Sequence, residues 1–183
     1  DYFTLTFAVG GAGAQAEMAK KILVSLKTKI EEGKIKINLS AGIREGVAIK
    51  FNEYLKELNL DTNENVRIIY DSDIYKFFDL FNLALRNTDV LWTKPSELTF
   101  FAGLGLPILI APPVGSHEDI NLSWLCGKSS AIIPQGNLEN IDEWLWDLCE
   151  SGVLAKCAWN GFINVRKLGV YKIEELIKTG KVV

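Results

Sequence analysis

The feature that most constrains this chain is a sixfold alternation of strand-like and helix-like segments. Phe3 to Val9 is rich in β-formers and runs into Gly10-Gly11-Ala12-Gly13. Gln15 to Ile30 then carries Met18, Ile22, Leu26 and Ile30 at helical spacing before Gly33. The unit recurs as strand Ile35–Ala41 with helix Glu45–Leu58, strand Val66–Tyr70 with helix Asp73–Leu85, and strand Asp89–Trp92 with helix Glu97–Leu104. It continues as strand Ile108–Ala111 with helix Asp119–Leu125 and closes with strand Ser130–Ile133 and helix Ile141–Glu150. Consecutive strands separated by helices pair in parallel through crossovers, so the pattern predicts a doubly wound α/β fold of about six strands, with helices on both faces.

A chain of 183 residues, 48% of them hydrophobic, can bury one sizeable core, and a single domain over 1–183 is expected. The connections Asn59–Asn65 and Pro134–Asn140 are polar but lack the length of interdomain linkers. A net charge of −3 supplies no basic field, which argues against a nucleic-acid partner. Cys126, Cys149 and Cys157 form no Cys-x-x-Cys pair, and their odd number suits reduced thiols in a cytosolic setting. With His117 the sole histidine, no zinc site of the His-cluster type is expected, while composition leaves carboxylate-bound magnesium open. The apolar stretch Leu104 to Val114 is too short to span a membrane and is interrupted by Pro107, Pro112 and Pro113. The chain opens at Asp1 directly into a strand, as a piece of something longer would. After Gly152, Trp159, Gly161 and Phe162 precede an amphipathic turn around Ile173, Leu176 and Ile177, which is expected to pack onto the sheet or onto a missing neighbour. Ile141, Trp144, Leu145 and Leu148 make a core stripe that leaves Trp146 as the candidate for an interdomain contact, although packing is the expected role of each tryptophan.

Ligands of doubly wound sheets gather at the carboxyl ends of the strands, and the residues there define the candidate chemistry. Gly11-x-Gly13-x-x-Ala16 formally meets the dinucleotide pattern, in which glycines permit a tight turn and helix N–H groups receive phosphate. Such sites also place an acid after the second strand, roughly 20 residues on. Ser40-Ala41-Gly42 stands there instead, which disfavours a nicotinamide or flavin dinucleotide and leaves a phosphate turn or a structural one. Arg44 is either a phosphate partner or a solvated residue at a helix start. In Tyr70-Asp71-Ser72-Asp73, Ser72 or Asp71 is expected to cap the next helix while backbone groups meet a flat base.

Glu97 follows Pro95 and Ser96 in the first turn of a helix, where its carboxylate accepts two ribose hydroxyls or merely complements the helix dipole. Lys94 reads as an exposed lysine or a phosphate partner. The turn Gly115-Ser116-His117-Glu118-Asp119-Ile120-Asn121 offers Glu118 as an acceptor for sugar hydroxyls, Asn121 as donor and acceptor, and the N–H groups of a helix start. His117 is the catalytic candidate, as a general base, though no paired nucleophile or orienting carboxylate is identifiable.

Taken together, Gly10-Gly11-Ala12-Gly13-Ala14-Gln15, Thr93-Lys94-Pro95-Ser96-x-Leu98-Thr99, Gly105-Leu106-Pro107 and Gly115-x-x-Glu118-x-x-Asn121 resemble the carboxy-terminal half of GT-B glycosyltransferases. The likeness is to the branch containing the peptidoglycan lipid N-acetylglucosaminyltransferase and the diacylglycerol glycosyltransferases, and it extends to about Pro134. It implies a Rossmann-like domain that binds a nucleotide-diphosphate sugar, expected to be a UDP-sugar. Gly11, Ala12, Gly13 and Ala14 would lie near the diphosphate, with Arg44 at the same edge, Tyr70 near the uracil and Ser96 and Glu97 near the ribose. Ser116, His117, Glu118 and Asn121 would meet the sugar.

Retaining enzymes of that architecture carry a Glu-x7-Glu pair, but Gly105 stands where the second acid would follow Glu97, so the inverting branch matches better. The resemblance further implies a missing amino-terminal half that supplies the general base, a lipid or membrane-surface acceptor, and no metal or other cofactor. The setting would be cytoplasmic, peripheral to the membrane in the full-length protein, and the isolated half would bind without turnover. Half of a GT-B-type sugar-nucleotide epimerase and a non-catalytic nucleotide-binding or scaffold domain are the alternatives.

Overall fold

A computed structural model describes residues 2–8, 15–95, 98–112, 116–134 and 136–180. The elements follow one another as β1 (Phe3–Ala8), α1 (Ala16–Glu31), β2 (Ile35–Gly42), α2 (Glu45–Glu57), β3 (Val66–Tyr70), α3 (Ile74–Leu85), β4 (Val90–Thr93) and α4 (Leu98–Gly103). They continue as β5 (Ile108–Ile110), α5 (Ser116–Gly127), β6 (Ala131–Ile132), α6 (Ile141–Glu150), α7 (Val153–Asn164) and α8 (Gly169–Thr179). The six strands form one sheet in the order β3-β2-β1-β4-β5-β6, and every neighbouring pair is parallel. This is the Rossmann-like α/β fold that the alternation predicts. Strand order reverses direction between β1 and β4, creating the crevice at which ligands of such sheets bind.

The two faces of the sheet differ because successive side chains point to opposite sides. Leu5, Phe7, Ile35, Ile37, Leu39, Val90, Trp92 and Leu109 face α1, α2 and α6 in the larger core, where Ile22, Leu23, Leu26, Phe51 and Leu145 are also buried. The opposite face is partly polar. Asn38 donates to Thr6, whose hydroxyl meets that of Thr88 at 2.7 Å, and Thr88 in turn donates to the Ala84 carbonyl at the end of α3. A smaller apolar cluster on that face joins Ile108 and Ile110 to Ala102, Leu125 and Val165.

Local chemistry departs from the sequence expectations at a few places. The α3 cap is Asp73, which accepts from the Tyr75 and Lys76 amides, while Asp71 accepts from the Asp73 amide and shapes the turn before it. Neither Ser72 nor Asp71 caps the helix, because it starts one turn residue later. Helix α5 begins at Ser116, earlier than expected at Asp119, since the polar turn itself winds into the helix. Trp146, by contrast, packs as expected for each tryptophan: its ring lies against Phe3, with centroids 6.2 Å apart, and under the Lys29 ammonium.

The tail forms two helices rather than one turn. α7 packs on α4 and α6, whereas α8 buries none of its residues and leaves Val170, Tyr171, Ile173 and Ile177 exposed. Gly161 is where α7 meets α4 most closely, since a Cβ there would lie 2.6 Å from the Ala102 carbonyl oxygen. Gly161→Ala is therefore expected to cost about 1–3 kcal/mol as the helices are forced apart, read as a lowered thermal midpoint; an unchanged midpoint would mean that the contact gives way freely.

Candidate functional site

The carboxyl edge of β1, β4 and β5 is held together by side chains from the segments that leave it. Thr93, the last residue of β4, donates to the Ala8 carbonyl at the end of β1. Gln15, entering α1, reaches across to donate to the Pro112 carbonyl beyond β5 at 2.8 Å, and its Oε1 is buried without a hydrogen-bond partner. These bonds pin the exits of β1 and β5 on either side of β4.

An ion pair makes the strongest tie. The Lys94 ammonium lies 2.7 Å from Oε1 of Glu118, in the first turn of α5. Glu118 is 1% exposed and Lys94 21% exposed, so the pair has a buried end and an end that reaches solvent. One turn along α5, Asn121 donates to the Pro95 carbonyl at 3.2 Å. Glu118 and Asn121, spaced to share a helix face, thus clamp the segment leaving β4 onto α5. Removing a charge from water costs several kcal/mol and is weak evidence for stability.

The residues expected at the site fall into three groups. Lys94, Glu118 and Asn121 are brought together, with the difference that the Glu118 carboxylate is turned inward on Lys94 and that Lys94 is largely covered. Ser116 and His117 contribute backbone to the first turn of α5. Arg44 and Tyr70 lie along the other half of the edge: Arg44 is exposed at the N-cap of α2 and makes no side-chain cap bond, and Tyr70, half-buried, pairs with Gly42 across β3 and β2. Because β2 and β4 flank β1, Arg44 and Lys94 stand on opposite sides of the β1 exit. Gly11, Ala12, Gly13, Ala14, Ser96 and Glu97 lie outside the described residues. The sequence gives Gln15 and Thr93 no separate role beyond their places in the motifs at a helix start after glycines and at a strand end.

Among the described residues, no group of three or more His, Cys, Asp and Glu side chains converges as a metal site. None of those residues belongs to a helix long and apolar enough to cross a membrane. The three thiols are free, and burial pushes each upward; Cys149, also beside Asp89 and Glu150, is raised to about 11. Since the thiolate is the reactive form, alkylation by iodoacetamide at pH 8 is expected to be much slower than for free cysteine. Rapid modification of a native thiol would contradict that environment.

The fold is shared with GT-B glycosyltransferases and epimerases, in their carboxy-terminal domains. MurG of Acinetobacter baumannii superposes with a TM-score of 0.71 at 17% identity, over 97% of this chain and 50% of that one. S. aureus MnaA, solved with UDP, gives 0.68 at 11% identity over 97% and 46%. The UDP-GlcNAc 2-epimerase of Neisseria meningitidis, solved with UDP-GlcNAc, gives 0.59 at 14% identity over 98% and 45%. The chain thus spans about half the length of these proteins. No curated protein matches it in sequence. The model of a domain of unknown function (DUF6938) matches residues 49–141, just over half of the chain, and the chain belongs to that family.

Proposed function

We propose that this chain is the donor-binding half of a two-domain enzyme that acts on a UDP-sugar, and that the enzyme is an inverting, metal-independent glycosyltransferase. The observation that carries the reading is the clamped edge at the β1/β4 crevice, where Lys94 reaches solvent from a carboxylate anchor. A cation held there offsets the charge of a diphosphate, and does more for the departing nucleotide as negative charge builds on it. In this account Glu118 orients Lys94, and Lys94, with Asn121 and the α5 N–H groups, meets the diphosphate and sugar. Gly11 to Ala14 and Arg44 complete the phosphate side, Tyr70 the base, and Ser96 with Glu97 the ribose. His117 stays at the sugar turn, while the general base and the acceptor site belong to the other half. The cytoplasmic setting and a lipid or membrane-surface acceptor are part of the same proposal.

A second reading, half of a sugar-nucleotide epimerase, is favoured by the Neisseria meningitidis neighbour with its bound UDP-GlcNAc. Both readings require UDP binding. Calorimetry should show UDP binding more tightly than NAD, because the acid that would hold an adenosine ribose is absent after β2. Tighter binding of the dinucleotide would remove the basis for either. Donor hydrolysis or epimerisation by a reconstituted two-half protein then separates them.

A further inference from the structure

Parallel sheets are normally covered on both faces, so their strands read as nearly continuous apolar runs. β1 and β2 do not: Thr4, Thr6, Lys36 and Asn38 interrupt them at alternate positions. The register sets these residues in two rows on one face, Thr4 beside Lys36, and Thr6 beside Asn38 and then Arg67. α3 crosses this face with only Ala84 buried, and at the amino ends of β1, β2 and β3 it leaves a cavity of about 370 Å³. Lys36, Asn38 and Arg67 line it from the sheet, Glu64 from the turn before β3, and Leu83 and Asn87 from the end of α3. The Lys36 ammonium stands 3.8 Å from the centroid of the Tyr2 ring, which shares the wall. Among the described residues neither Lys36 nor Arg67 pairs with a carboxylate. Nor do they cap α3, whose Leu83 and Ala84 carbonyls accept from the side chains of Asn87 and Thr88. Lys36 is half-buried and Arg67 exposed, so both charges are within reach of a ligand arriving from solvent.

We propose that this cavity binds the phosphate monoester of a polyol, a molecule of the size and class of a hexose monophosphate, with Lys36 and Arg67 on the phosphate. Two cations on adjacent strands match an anion of about twice the unit charge, and a phosphate monoester carries about −1.5 to −2 near neutral pH. A single carboxylate would leave one of them unmatched. The Arg67 guanidinium presents paired N–H donors to phosphate oxygens, and Lys36 serves as a point charge beside it. The rest of the wall suits hydroxyls: Glu64 accepts, and the Asn38 and Asn87 amides combine donor and acceptor atoms. Glu64 also opposes a second phosphate. The volume falls within the range of small-molecule sites, roughly 300–1,000 Å³, and exceeds what a phosphate alone would fill. Because the cavity lies at the opposite ends of the strands from the Lys94–Glu118 edge, the proposal does not rest on the nucleotide reading.

Calorimetric titration with glucose 6-phosphate provides the test. The chain should bind it, less tightly as salt is added because the cations reach solvent. Inorganic phosphate should bind at least about tenfold more weakly, and glucose not measurably, since each lacks one half of the recognised group. Lys36→Gln and Arg67→Gln should each weaken glucose 6-phosphate by about tenfold or more, the range for a hydrogen bond to a charged group, and the double variant should abolish binding. Neither side chain is buried, so the thermal midpoint should stay close to that of the wild type. Arg44→Gln, at the other end of the strands, should leave the affinity unchanged. No binding of glucose 6-phosphate, equal affinity for inorganic phosphate or for glucose, or undiminished affinity in the double variant would overturn the assignment. Loss of affinity in Arg44→Gln alone would do the same, by moving the phosphate to the carboxyl edge. If the double variant does not fold, the single variants and the wild-type titrations decide the matter.

Discussion

Glu118→Ala is expected to cost about 3 kcal/mol of folding stability, the lower end of the range for breaking a buried ion pair. The carboxylate is buried, but its partner reaches solvent and recovers part of its hydration once released. The same substitution removes the ion-pair tie between the segment leaving β4 and α5, while the Asn121 bond to Pro95 remains. UDP affinity should fall about tenfold or more, because a hydrogen bond to a charged group is worth about 1.5–3 kcal/mol. The double variant Lys94→Met with Glu118→Leu separates the two effects. An ion pair replaced by apolar side chains is often neutral in stability, so the double variant should regain much of the loss in denaturant unfolding while UDP binding stays weak. If UDP affinity returns along with stability, Lys94 is a structural residue and the site lies elsewhere.

Trp92→Ala should be the most damaging single change in the larger core, at about 3–5 kcal/mol. The ring is fully buried on the central strand β4 and meets Phe7 and Trp144 edge-on, so truncation removes contacts from both β1 and α6 at once. Trp92→Phe should keep most of the packing. Chemical denaturation of the two variants distinguishes this account: equal stabilities would mean that the indole position collapses without penalty.

The fold was legible because each strand ends in a turn signal and each following helix keeps its apolar spacing, as in Met18, Ile22, Leu26 and Ile30 of α1. Strand order was not, since it depends on crossovers between segments distant in sequence. The tail was read poorly for a physical reason: α7 is fixed by Gly161 against Ala102, a contact between helices, and α8 has no buried face to impose order on its pattern. At the edge, residue types pointed to Lys94, Glu118 and Asn121 but not to their arrangement. A carboxylate in a first helical turn looks the same in sequence whether it faces a sugar or a lysine 24 positions earlier. The inward turn of Glu118 is a consequence of packing α5 against the β4 exit.

The central claim is tested most directly by a crystal structure of the chain with a UDP-sugar. The account predicts the diphosphate at the β1/β4 crevice within hydrogen-bond reach of Lys94, with the sugar over the first turn of α5. A sugar nucleotide bound at another edge of the sheet, with the Lys94–Glu118 pair untouched, would contradict it.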